Sequence, residues 1–102
     1  MNIARPLWLP GDRLPDVRLQ ADGAHDATLH GEFAGAPVWV ATPSSIEAAA
    51  TLPQPPPGVT ALCVGSPVPE GAPAPWRSYL ADEAWCAGLG ADALWRADAN
   101  LR

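Results

Sequence analysis

Apolar residues run almost unbroken in two places, Pro37-Val38-Trp39-Val40-Ala41-Thr42 and Val59-Thr60-Ala61-Leu62-Cys63-Val64-Gly65. Runs of this length, bounded by turn-forming residues, predict strands buried on both faces of a parallel sheet. Between them the pattern changes. Pro43 ends the first strand, and Ser44 or Ser45 can cap a helix through Ile46-Glu47-Ala48-Ala49-Ala50, which Pro53 must terminate. Gln54-Pro55-Pro56-Pro57-Gly58 then reads as a stiff, extended linker. Strand, short helix and strand together predict a right-handed βαβ unit.

Upstream, Val17-Arg18-Leu19-Gln20 alternates and leads into Ala21-Asp22-Gly23, with Ala27-Thr28-Leu29-His30 beyond. Two short extended segments around an Asp-Gly pair predict a β-hairpin. Downstream, Ser66 to Pro75 is a loop rich in proline and glycine. The stretch Trp76-Arg77-Ser78-Tyr79-Leu80 admits two readings. Trp76, Tyr79, Leu80 and Ala84 recur at helical spacing, while a short strand ending at Asp82 also fits. Asp82 is a good N-cap for a helix from Glu83 to Ala87, which Gly88 or Gly90 ends. Ala93-Leu94-Trp95-Arg96-Ala97 predicts a last strand, and Asp98-Ala99-Asn100 a turn.

At 102 residues the chain is long enough for one domain with a modest core. Apolar residues are 48% and charged ones 17%, which excludes disorder by composition. The net charge is −5, and all six basic residues are scattered arginines. With no basic stripe, neither nucleic acid nor an anionic membrane is an expected partner. No apolar stretch approaches the roughly 20 residues that span a bilayer. The opening segment, interrupted by Pro6 and Pro10, lacks the apolar core of a signal peptide, so a cytoplasmic protein is expected. Two cysteines, Cys63 and Cys86, make neither a disulfide framework nor a zinc pattern, which agrees with a reducing compartment.

The order of elements, with several separate sequence pieces, resembles the thioredoxin-like fold in its peroxiredoxin variant. Gly11-Asp12-x-x-Pro15-Asp16 is similar to that family's lead-in to an N-terminal hairpin, and Asp22-Gly23 lies at the hairpin tip. Gly35-x-Pro37-Val38 opens the first central strand as in the family, and Val64-Gly65-Ser66-Pro67 resembles the segment after the second. Asp82 through Gly90, and then Asp98-Ala99-Asn100-Leu101-Arg102, resemble later landmarks of the same fold. The resemblance implies an α/β, thioredoxin-like domain over 1–102, with an N-terminal β-hairpin, a βαβ unit, and a further helix and strand.

Two departures bear on function. The family's site is Pro-x-x-x-Thr/Ser-x-x-Cys, and its cysteine is activated by a helix N-terminus, a hydroxyl and an arginine, which favour the thiolate. Aligned on Pro43, this chain has Glu47 at the hydroxyl position and Ala50 at the cysteine position. A thiol peroxidase without that thiol cannot do the family's chemistry. The second departure lies after Asn100, where the family's closing hairpin strand and helix are missing from this sequence. The domain is therefore expected to be truncated, cut from a longer protein or completed by a partner. An uncovered edge strand invites pairing, so the chain alone is expected to self-associate.

The remaining candidate chemistry is sparse. Cys63, in a predicted buried strand, reads as a small hydrophobe. Cys86, on a short helix, is the more exposed thiol and the candidate for a redox protein in which Cys63 resolves. A bridge between them requires α-carbons within about 7 Å. His25, Asp26, His30 and Glu32 can each bind metal, but a hairpin tip ordinarily just solvates such residues, and no metal site or cofactor is assigned. Thr42, Ser44 and Ser45 beside a helix start could hold a small anion, or simply cap the helix. Trp39 and Trp95 fall in strands and belong to the expected core. Trp8, Trp76 and Trp85, near loops and short elements, are as a set the candidate protein-binding face, although core packing is the favoured reading for each taken singly. The sequence thus favours a non-catalytic peroxiredoxin-like binding or scaffold module. Its partner would be itself, another enzyme, or a following catalytic domain. The alternatives are a thiol redox protein using Cys86, and an accessory unit of the kind peroxiredoxin-like domains form ahead of iron- and 2-oxoglutarate-dependent oxygenases.

Overall fold

A computed structural model describes residues 12–21 and 25–102. In chain order the elements are β1 (Arg18–Ala21), β2 (His25–Thr28), α1 (Leu29–Phe33), β3 (Val38–Ala41), α2 (Ile46–Ala50), β4 (Thr60–Gly65), β5 (Arg77–Leu80), α3 (Glu83–Leu89) and β6 (Leu94–Ala97). The strands form one mixed sheet in the order β2-β1-β5-β4-β3-β6. β3, β4 and β5 run parallel, whereas β6 is antiparallel to β3, β1 to β5, and β2 to β1.

The two apolar runs form adjacent inner strands of this sheet, β3 and β4, covered on both faces as expected. Alternation along β3 and β4 sends Val38, Val40, Leu62 and Val64 to one face, and Ala41, Ala61 and Cys63 to the other. The first face carries the larger core. Leu29 and Phe33 of α1, Trp85 and Leu89 of α3, and Leu14 and Leu101 pack on it. Phe33 meets Tyr79 of β5 edge to face, with ring centroids 5.9 Å apart. The second face is thinner, closed by Trp76 with Trp39, Leu52, Val68, Ala72 and Leu94 around it.

Local signals explain the helices. Ser45 caps α2, its hydroxyl accepting from the Ala48 amide at 3.1 Å. Asp82 caps α3, accepting from the Trp85 amide, and Gly90 at φ 97° closes it in a backbone conformation that suits glycine. The expected second hairpin strand is corrected at its end, because β2 stops at Thr28 and Leu29-His30 open α1. The Thr28 hydroxyl caps this helix by accepting from the Gly31 amide. Five residues do not sustain a helix alone. Burial of Leu29 and Phe33 one turn apart, each contributing about 1.5–3 kcal/mol, holds it. Of the two readings of Trp76 to Leu80, the strand is found: Tyr79 points into the larger core while Arg77, Ser78 and Leu80 are exposed. Among the described residues no helix is long and apolar enough to cross a membrane.

Candidate functional site

The carboxyl ends of β3 and β4 open into a cleft of about 410 Å³, lined among others by Pro43, Ser44, Gly65, Ser66, Pro67 and Cys86. In open α/β sheets this end of the parallel strands is where ligands bind. Pro43 is buried at the cleft. Glu47 and Ala50, the other two positions that the resemblance aligns with the family's motif, are exposed on α2 and do not line it. Ala50 is the last residue of α2, a full turn beyond the Ser45 cap. The amide end of the helix therefore does not act on that position.

A second chain segment closes over the strand end. Ser44 donates twice to Asp92, from its amide to Oδ1 and from its hydroxyl to Oδ2, each at 2.7 Å. Behind it the buried Thr42 hydroxyl donates to the Gly90 carbonyl at 2.6 Å and accepts from the Ala93 amide. Asp92 sits at φ 51°, a left-handed conformation that aspartate tolerates better than most residues. Of the two readings of Thr42, Ser44 and Ser45, capping is found at Ser45 and the anion site is not. The Ser44 donors are held by the chain's own carboxylate, Ser45 caps α2, and Thr42 ties the two segments together. No sequence signal pairs Asp92 with Ser44, 48 residues away.

The hydrogen bonds from the Ser44 hydroxyl and amide hold the Asp92 carboxyl below its ordinary value. A lowered folded-state pKa contributes stability that is present above the unfolded pKa and lost as pH falls through the folded one. Asp92→Asn is thus expected to melt below the unchanged protein at pH 7, with the gap shrinking in acid below about pH 3.9. Thermal melts from pH 2 to 7 check this; a gap independent of pH would show that the clamp is not ionic.

Neither cysteine is set up as a nucleophile. Cys63 is fully buried, and burial pushes its thiol up despite a hydrogen bond with Ser78. Cys86 is half-buried, and burial, then the nearby Asp82 and Glu83 carboxylates, push it up to about 11. Both thiols are free. Cys63 belongs to the thinner face and Cys86 packs against the larger core, so the sheet lies between them.

Core packing holds for Trp76 and Trp85, and the surface reading of these two is corrected. Trp76 and Trp85, read as candidate surface residues, are each only 7% exposed. Their indole N–H groups donate to distant carbonyls, Trp76 to Pro53 at 2.9 Å and Trp85 to Pro15 at 2.8 Å, which lets large rings with a polar edge lie inside. Trp39 and Trp95, expected in the core, are half-buried because β6 is the edge strand and β3 its neighbour. The Arg96 guanidinium lies over the Trp39 ring, 5.0 Å from its centroid. Trp8 lies outside the described residues.

The polar residues of the hairpin region do not converge. Asp26 pairs with Arg18, and the His30 ring nitrogen Nε2 bonds the Leu14 carbonyl at 2.6 Å. No group of three or more metal-binding side chains occurs among the described residues. The chain matches no protein-family model, and no curated protein is significantly similar to it.

Proposed function

We propose that this chain is a non-catalytic, cytoplasmic module of thioredoxin-like fold, similar to a peroxiredoxin that has lost its nucleophile, and that it acts by binding another chain along β6. The strand-end clamp carries this reading. Where a thiol peroxidase needs open donors and a cysteine at a helix start, Asp92 occupies the Ser44 donors, and Ala50 stands outside the cleft. The order of elements supports the fold: a hairpin, a parallel pair joined by a capped helix, and an antiparallel last strand.

The binding edge follows from ladder geometry. Thr42 donates its amide to the Ala93 carbonyl, so alternation places the next bonded pairs at Val40–Trp95 and Val38–Ala97. The amides and carbonyls of Leu94 and Arg96 therefore point away from β3, and no described strand lies beyond them. Such a row is a template for strand addition.

The test is catalytic. Purified protein supplied with hydroperoxide and a thiol reductant is expected to show no turnover above background. Cys86 is expected to label slowly at pH 7 and faster toward pH 11, as a thiol with that pKa should. Robust turnover that disappears in Cys86→Ser or Cys63→Ser would overturn the reading in favour of a thiol redox protein.

A further inference from the structure

We infer that a cleft between β1 and the end of β5 binds a free α-amino acid with a small aliphatic side chain. This role is separate from the one given to β6, which lies at the other side of the sheet. The cleft encloses about 330 Å³ and is lined by Arg18, Gln20, Ser66, Leu80, Ala81 and Asp82. That volume is at the small end of ligand sites, which run from about 300 to 1,000 Å³.

The cleft exists because two strands diverge after a single pair. β1 and β5 meet antiparallel only at Gln20 with Leu80. Continued by two residues, that register sets Arg18 level with Asp82. The Ala81 amide instead bonds to the Gly65 carbonyl, so the chain stays on β4, and Asp82 turns away to cap α3. On the other side of β1, the Val17 carbonyl accepts from the Leu29 amide. Alternation therefore points the amides and carbonyls of Arg18 and Gln20 toward β5. Leu80 takes up those of Gln20. Those of Arg18 face the cleft, and none of the described residues bonds to them.

A strand residue in that state can pair with one extended residue, donating one hydrogen bond and accepting another. The rest of the lining says what kind of residue. The Arg18 guanidinium is taken up by Asp26, so its main chain is what meets a ligand. Asp82 belongs to the facing wall, and the Trp85 amide engages only its Oδ2. An ammonium that donates to the Arg18 carbonyl can thus also meet a carboxylate. The donors of the cleft are the Arg18 amide, the Gln20 side-chain amide and the Ser66 hydroxyl. The last two have no hydrogen-bond partner among the described residues. Three donors exceed the two lone pairs of one peptide carbonyl and suit the two oxygens of a carboxylate. Leu80, also in the lining, is 44% exposed, and a short aliphatic side chain laid on it removes apolar surface from water.

Titration of isotope-labelled protein with L-valine, read from backbone amide resonances, tests the inference. Saturable shifts are expected, largest at Arg18, Gln20 and Leu80, with a dissociation constant of about 1 mM or below. N-Acetylvaline lacks the ammonium and isobutylamine the carboxylate. Each is expected to bind at least about tenfold more weakly, and glycine about fivefold. Asp82→Asn keeps a capping oxygen for α3 and is expected to fold but to bind valine about tenfold more weakly. Arg18→Ala retains the main-chain pair and is expected to bind within about threefold of the parent, whereas Arg18→Pro, without the amide, loses about tenfold. Circular dichroism verifies that each variant folds. No saturable shift with valine, shifts centred away from these residues, or equal binding of N-acetylvaline or isobutylamine would each overturn the inference. Valinamide binding more tightly than valine would overturn the free amino acid in favour of the first residue of another chain. None of those results touches the non-catalytic reading, which fails only on thiol-dependent turnover.

Discussion

Trp85→Ala is expected to remove about 3–5 kcal/mol of folding free energy, as truncation of a buried aromatic does. Domains commonly have only about 5–15 kcal/mol in total, so the variant sits near the limit of folding at room temperature. The effect is large because Trp85 joins two ends of the molecule. Its ring packs among Leu14, Leu89 and Leu101, and its indole N–H donates to the Pro15 carbonyl, 70 residues earlier. Truncation opens a cavity and leaves that carbonyl without its donor. Trp85→Phe separates the two contributions, since it keeps most of the apolar ring and loses only the N–H. Urea unfolding followed by circular dichroism measures both. The expected order of midpoints is unchanged protein, then Phe, then Ala. An alanine variant as stable as the parent would show that the stretch from Leu14 to Val17 is not held to α3 by this residue.

Trp76→Ala is expected to cost a similar amount, about 3–5 kcal/mol, with a second consequence that Trp85 lacks. Trp76 is the one large side chain among the buried residues of the thinner face, packed with Ala41, Ala61 and Cys63 and donating to the Pro53 carbonyl. The other ring of that size on this face, Trp39, lies 6.5 Å away and is covered by Arg96. Water reaching the strand would relieve the burial that pushes the Cys63 thiol up. Thiol labelling under native conditions is thus expected to modify Cys63 in Trp76→Ala and to leave it unmodified in the parent over the same time. Equal labelling of Cys63 in both proteins would show that Trp76 does not shield it. Trp76→Phe, which retains most of the ring, should restore most of the protection.

Local rules read much of this chain correctly, and long-range geometry accounts for the rest. The buried strands around Val40 and Leu62 were legible because consecutive apolar residues fit few other structures. Ser45 and Asp82 were legible as caps because each precedes a run of helix formers. Thr28 was missed: its hydroxyl serves a strand or a helix cap equally well until Leu29 and Phe33 find a core to enter. Choosing between core and surface for the tryptophans required the fold for a related reason. Exposure at Trp39 and Trp95 depends on β6 being outermost, and burial of Trp76 and Trp85 depends on carbonyls supplied by remote prolines. The Asp92 clamp was invisible, since a turn aspartate announces neither its backbone twist nor a partner as far away as Ser44. At the site, the sequence showed Ala50 where the family it resembles has a cysteine. It could not indicate that an internal carboxylate had taken the donors at Ser44.

The strand order also governs when the sheet can form. The hairpin of β1 and β2 pairs within itself, but it joins the remaining strands through a single ladder pair, Gln20 with Leu80, and must wait for β5. β3 receives its second neighbour only when Val38 meets Ala97, far along the chain from it. Sheets assembled from such distant pairings fold slowly, because the entropy of closing long loops is lost before the contacts form. During synthesis β3 therefore keeps one side unpaired until β6 has emerged.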